Sequence, residues 1–293
     1  MSKGIAKSIS LDQQGTVLSN TQTDWDFLYT HSTIKHPSYN IGDRVALPDS
    51  RVFRYAKCGY TAIDSNQFGV KNAACLVACK TAGGNNNAVT LPSVSAGAKK
   101  LTVTFTAGTL GDSTSRTPAE RTGVVAEDEL RGGYISFYTG NYRQQRGIIG
   151  NSAVTITDES MVIYLDASLD HVLTFGTSTC EILANPYACV AKSNSLHNSV
   201  MGMPNVTAAL NEYLWLQTWG PLRISGTGNY GTGLRRRQYV FDTQGAVVPI
   251  NTGITGDAAA DTDYNYQMAG FIIETTYELA GCAAPFINLQ INP

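Results

Sequence analysis

Charge is scarce in this chain. Asp, Glu, Lys and Arg make up 15% of its 293 residues, against about 25% in an average soluble protein. Helices laced by rows of surface ion pairs need more charge than this. The charges also nearly cancel, at −2 overall, so neither nucleic acid nor an anionic bilayer is an expected partner. No apolar run approaches the roughly 20 residues of a membrane-spanning helix. The basic start, Met1 to Lys7, is followed by no apolar stretch, so no secretory leader is expected and folding in a cytosol is.

The marks of common chemistries are missing too. Six cysteines are present, Cys58, Cys75, Cys79, Cys180, Cys189 and Cys282. Cys75 and Cys79 stand three residues apart with no second pair to complete a zinc site. Reduced, buried thiols are the expectation. There is no G-x-S-x-G elbow. Gly226-Thr-Gly-Asn-Tyr-Gly231 has the bare spacing of a dinucleotide loop. The residues after it, Leu234 to Phe241, end in β-branched and aromatic side chains, not in the helix that would hold a pyrophosphate. Asp257, Asp261 and Asp263 resemble half a calcium loop, but Tyr266 stands where the turn wants Gly and the closing Glu is missing. Glu127-Asp-Glu129 alternates faces, as a solvated turn would. Glycoside hydrolysis needs two carboxylates about 5–10 Å apart, and no such pair stands out. His31, His36, His171 and His197 are scattered. Arg235-Arg-Arg237 suits an acidic partner surface better than a phosphate. Asn205-Val-Thr207 is a formal glycosylation sequon, irrelevant to a chain that is never secreted. No catalytic residue, cofactor or metal is expected.

What fills the chain is Gly, Thr, Ser and Asn between short alternating apolar runs. That composition predicts a mainly β fold, an antiparallel sandwich or barrel of many short strands, with one short helix and an extended N-terminal arm. Strands are expected at 100–106, 133–138, 146–149, 160–165, 179–183, 213–219, 236–241, 268–276 and 285–291, with Leu101, Val103 and Phe105 inward. Residues 41–57 read as a hairpin turning at Leu47-Pro-Asp-Ser50. The Ala-rich stretch 66–82, stopped by Gly83-Gly84, reads as the helix. The expected division is an arm at 1–40, a hairpin and helix region at 41–98, and a β-rich body at 99–293, the last two possibly continuous.

The most informative segment is Tyr213-Leu-Trp-Leu-Gln-Thr-Trp-Gly-Pro221. On a strand, Tyr213, Trp215, Gln217 and Trp219 share a face before a Gly-Pro turn. Each ring can bury about 150–250 Å², which suits the centre of a core or a subunit contact. Trp25, Phe27 and Tyr29 place three more rings in a polar N-terminal segment. They read either as a first strand or as an arm that anchors on a neighbour. Trp25, Phe27, Tyr29, Trp215 and Trp219 are therefore the candidate interface residues.

Six segments, taken in order, resemble a family of tailed-bacteriophage virion proteins of the capsid decoration, or cement, type. They are the hairpin Gly42–Lys57, the Ala-rich helical stretch after it, the strand Leu101–Phe105, the Gly132-Gly133-Tyr134 strand start, the Asn185-Pro186-Tyr187 turn and the aromatic strand Glu212–Pro221. The similarity covers most of 40–293. Asn211 stands where the family often has Gly, and the loop 112–122 is longer. The resemblance implies a non-enzymatic shell protein, a homotrimer bound to the major capsid protein on the outer capsid surface, made in the host bacterial cytoplasm. The competing reading is another virion part, such as a tail-tube or fibre-base subunit.

Overall fold

A computed structural model describes residues 25–59, 61–65, 69–72, 76–79, 89–111, 122–192, 199–224, 238–242, 244–249, 267–274 and 286–292, with backbone alone at 72, 76–79, 249 and 274. After a short 3-10 turn at Asp26–Tyr29 the chain forms strands β1 (His31–Ser32), β2 (Arg44–Ala46), β3 (Val52–Lys57), β4 (Val70–Asn72), β5 (Leu76–Cys79), β6 (Lys100–Thr104), β7 (Tyr134–Thr139), β8 (Tyr142–Asn151) and β9 (Ser160–Leu165). Then follow β10 (Thr179–Leu183), β11 (Val190–Ala191), β12 (Val200–Pro204), β13 (Tyr213–Arg223), β14 (Gln238–Phe241), β15 (Val247–Pro249), β16 (Met268–Glu274) and β17 (Phe286–Gln290). The fold is mainly β, in two curled antiparallel sheets that each form a half-barrel.

The chain divides into two compact units. Unit 1 holds the described residues of 25–39, 43–72 and 190–292; unit 2 holds those of 40–42 and 73–189. Unit 2 carries one sheet in the order β5-β10-β7-β8-β9-β6. Its strands alternate as their sequences demand: on β6, Leu101 and Val103 are buried between exposed Lys100, Thr102 and Thr104. Phe105 continues the inward row. These residues join Ile135, Phe137, Ile148, Met161, Ile163 and Ile182 in one core.

Unit 1 carries the order β11-β4-β12-β13-β17-β16-β14-β15, with β1 and β3 also on β13 and β2 on β3. The hairpin expected at 41–57 forms from β2 and β3. The Leu47 and Ser50 N–H groups donate to the carbonyls of Arg51 (2.8 Å) and Leu47 (3.1 Å) to close its turn.

The expected helix at 66–82 is absent where the chain is described. Its residues form β4 and β5, and the described residues hold no α-helix. Alanine's helical advantage is below about 1 kcal/mol per residue over most other residues. Here β4 pairs with β11 and β12, β5 pairs with β10, and Val70 is completely buried. Those pairings outweigh local preference.

Candidate functional site

β13 organises unit 1. It pairs with β1, β3, β12 and β17, and residues Leu214 to Thr218 are all buried. Trp215, 3% exposed, is the centre of an aromatic cluster. Tyr39 meets it edge-on at 5.0 Å between centroids, Phe27 edge-on at 5.8 Å, and Tyr55 tilted at 5.1 Å. Phe27 also stacks on Tyr39 at 5.8 Å, and Trp25 lies 6.4 Å from Phe27. Two candidate residues of the N-terminal segment therefore sit on this chain's own β13, beside a third candidate, Trp215. They do so from a 3-10 turn, whose threefold period also buries Leu28 completely. Burial drives the Tyr39 hydroxyl above its ordinary pKa of 10.0, with nearby Asp43 adding to the rise. Burial raises Tyr55 as well. A hydrogen bond from the His36 N–H (2.9 Å) opposes that rise, and Tyr213 adds to it.

Trp219 leaves the face expected of it. β3 advances one residue, from Phe53 to Val52, while β13 advances two, from Gln217 to Trp219. This bulge puts Trp219 opposite Val52 and off the Trp215 face. Nor does the strand stop at Gly220-Pro221; it runs on to Arg223 against β17. Gly220 allows this by adopting φ +89°, and a side chain there would strike the Ser50 carbonyl at 2.8 Å. Pro221 is tolerated because pairing with β3 has already ended at Trp219. The buried Gln217 amide holds the bulge, its Nε2 lying 3.2, 3.4 and 2.8 Å from the carbonyl oxygens of Trp219, Gly220 and Pro221.

The close approach of Gly220 to the hairpin turn shapes a cleft of about 360 Å³. One wall is the turn with the fifth candidate, Tyr29. Arg51 donates through Nε to Asp49 Oδ2 (2.7 Å) and through its backbone N–H to Asp49 Oδ1 (3.1 Å). It also donates through a terminal nitrogen to the Tyr29 hydroxyl. The Arg51 guanidinium lies 5.9 Å from the Phe53 ring centre, and Tyr29 meets Phe53 edge-on at 6.1 Å. The other wall is Arg223 and Phe286, directly paired between β13 and β17. Asn205 also lines the cleft and donates to Gln217 Oε1 at 3.4 Å. Sequence reasoning singled out Tyr29 here, and met Asn205 only as a sequon. Arg51, Arg223 and Phe286 come from three distant segments, and no spacing signals their meeting.

Unit 2 presents a second surface that the sequence did not advertise. The cross-strand pairs Leu183–Tyr134, Tyr134–Gly147, Gly150–Tyr164 and Tyr164–Lys100 run across its sheet. Leu183, Tyr134, Ile149 and Tyr164 on these strands are each between 37% and 52% exposed.

The other motifs resolve as local structure where described. Glu129 accepts from the Ala126 N–H (2.7 Å), and Asp128 pairs with Arg131 (2.7 Å), so Glu127–Glu129 belongs to a turn. His31 bridges to Glu212 at 2.8 Å, and His171 stacks on Tyr142 at 4.1 Å. Cys58, Cys180 and Cys189 are buried. Cys75, Cys282, His197, Gly226–Tyr230, Gly231, Arg235–Arg237, Asp257, Asp261 and Asp263 lie outside the described residues, and only the backbone of Cys79 lies within them. No family model, curated protein or solved structure matches this chain.

Proposed function

We propose that this chain is a non-enzymatic structural protein of a tailed-phage virion, one that binds the outer surface of the capsid and stabilises it as a homotrimer. The observation that carries this reading is the set of large apolar side chains on the open face of the unit 2 sheet, interspersed with the carboxylates of Asp166 beside Gly147 and Asp128 beside Gly150. Leu183, Tyr134, Ile149 and Tyr164 expose large side chains on strands whose opposite face already supplies the core. Exposed large apolar side chains rimmed by polar groups mark interaction sites, and permanent assemblies bury about 2,000 Å² or more. Tyrosine suits such a face, since its ring packs while its hydroxyl stays wet. A second support is that two segments of the resemblance, the 42–57 hairpin and the aromatic strand, are neighbours, with β3 paired along β13.

The test is co-sedimentation of the purified chain with undecorated capsid shells, with its solution mass recorded alongside. Stoichiometric binding by a trimer is expected. Tyr134→Ser combined with Tyr164→Ser should weaken binding at least about tenfold while leaving the melting temperature near that of the parent. Rods or rings forming without shells would move the protein to the tail, and a monomer that ignores shells would end the structural reading.

A further inference from the structure

The cleft of unit 1 has a chemistry unlike a protein-docking face. Its polar groups do not share one sign. Asp49 offers only acceptors, Arg51 and Arg223 only donors, and Asn205 and the Tyr29 hydroxyl offer both. Its exposed apolar groups include two rings, Tyr29 at 40% and Phe286 at 39% exposed, beside Pro221 and Leu222. The volume of about 360 Å³ lies at the lower end of the range for small-ligand sites.

A ligand matching this lining carries hydroxyls, which donate and accept together, and has an apolar C–H face to lay on a ring. A bare anion fits poorly. Arg51 is already engaged by Asp49 and Tyr29, and the Asp49 carboxylate, its side chain 52% exposed, would repel a negative charge. A purely apolar ligand fits poorly too, because it would strip water from five polar groups without replacing their hydrogen bonds. We propose that this cleft binds a neutral sugar unit of a glycan. In this arrangement Asp49, Arg51 and Tyr29 meet hydroxyls on one side, Asn205 and Arg223 meet them on the other, and Phe286 takes the C–H face.

The wall is built before any ligand arrives. Asp49 is tied to Arg51 twice, Arg51 to Tyr29, and the turn is pressed against Gly220. Preorganisation of this kind lowers the ordering cost of binding. The Arg223 side chain has no hydrogen bond or ion pair among the described residues, so its donors face a ligand. Among the described residues the lining holds one carboxylate, Asp49. Hydrolysis of a glycosidic bond uses two, so the activity assigned is binding without cleavage. This inference does not depend on attachment to a capsid.

The experiment is saturation-transfer NMR and calorimetry on the full chain with a panel of neutral sugars: glucose, galactose, N-acetylglucosamine, and α- and β-linked disaccharides of each. Inorganic phosphate and malonate serve as anionic probes. Binding of at least one sugar with millimolar affinity or better is expected. Asn205→Ala and Arg223→Ala should each weaken it about tenfold or more, and Phe286→Ala should abolish ring-proton transfer. Melting curves identify any variant that fails to fold, and Arg223→Lys provides a milder second change at the same wall. Silence from the whole panel, sugar binding indifferent to both Asn205→Ala and Arg223→Ala, or saturation by phosphate or malonate in place of sugar would each overturn the proposal.

Discussion

Gly220 shows how one residue can fix a surface. Its φ of +89° lies in the left-handed region that glycine adopts freely. The space for a Cβ is already taken by the Ser50 carbonyl and the Arg51 backbone. Gly97 has a similar φ of +87° with nothing within 4 Å of that position. Gly97→Ala should therefore cost only the backbone strain, about 1 kcal/mol. Gly220→Ala should cost about 2–4 kcal/mol, because the clash adds to the strain. Urea unfolding of the two variants separates these contributions, and equal losses would show that the turn moves aside freely. The buried phenols give a second test at this scale. Tyr39 and Tyr55 have raised pKa values in the fold, chiefly through burial. The unfolded chain ionises them near pH 10 while the fold resists, so stability is intact below that pH. It falls as the pH rises from about 10 through the folded values. Tyrosinate absorbance should show at least two phenols titrating late, with unfolding at the same step. Early titration of all fifteen tyrosines would contradict this.

At the scale of elements, pairing decides more than propensity does. β4 and β5 come from an Ala-rich stretch that favours helix, yet their neighbours make them strands. β13 carries its alternation visibly, but the bulge that removes Trp219 from the Trp215 face arises from the β3 register, and no residue of β13 signals it alone. The β2–β3 hairpin was legible from its Pro-Asp turn, while its one flaw was not. Arg44 and Arg54 stand directly opposite each other. Burial lowers the Arg44 pKa and the charge of Arg54 lowers it further, and the Arg44 Nε is buried without a hydrogen-bond partner among the described residues. Like charges across a ladder are destabilising. Arg44→Thr should relieve the repulsion and favour the strand, stabilising the protein by about 0.5–1 kcal/mol. Thermal melting reads this directly, and a drop in melting temperature would mean that the arginine serves a contact of its own.

At the scale of the whole molecule, the chain leaves unit 1 after residue 72 and returns at 190. The described core of unit 2 comes from residues between Val89 and Ala184. Apart from residues 40–42, unit 2 is one continuous span with its own sheet and core, which is what independent folding requires. A fragment of residues 73–189 is expected to melt cooperatively, with β-type circular dichroism. A fragment that stays unfolded at every temperature would show that its stability is borrowed from the rest of the chain.

Alternation and turn chemistry act over a few residues, which made the β class, the hairpin and the inward row of Leu101, Val103 and Phe105 legible in the sequence. The sequence also marked the rings that matter: Phe27 and Trp215 pack together, and Tyr29 reaches the cleft. Which face Trp219 takes, that 70–72 and 76–79 are extended, and that Arg51, Asn205, Arg223 and Phe286 line one cleft were settled by tertiary pairing. Most of these outcomes depend on strand pairings between segments far apart in the chain. The free energy of such pairings is shared between two segments, and neither segment carries a pattern that names its partner.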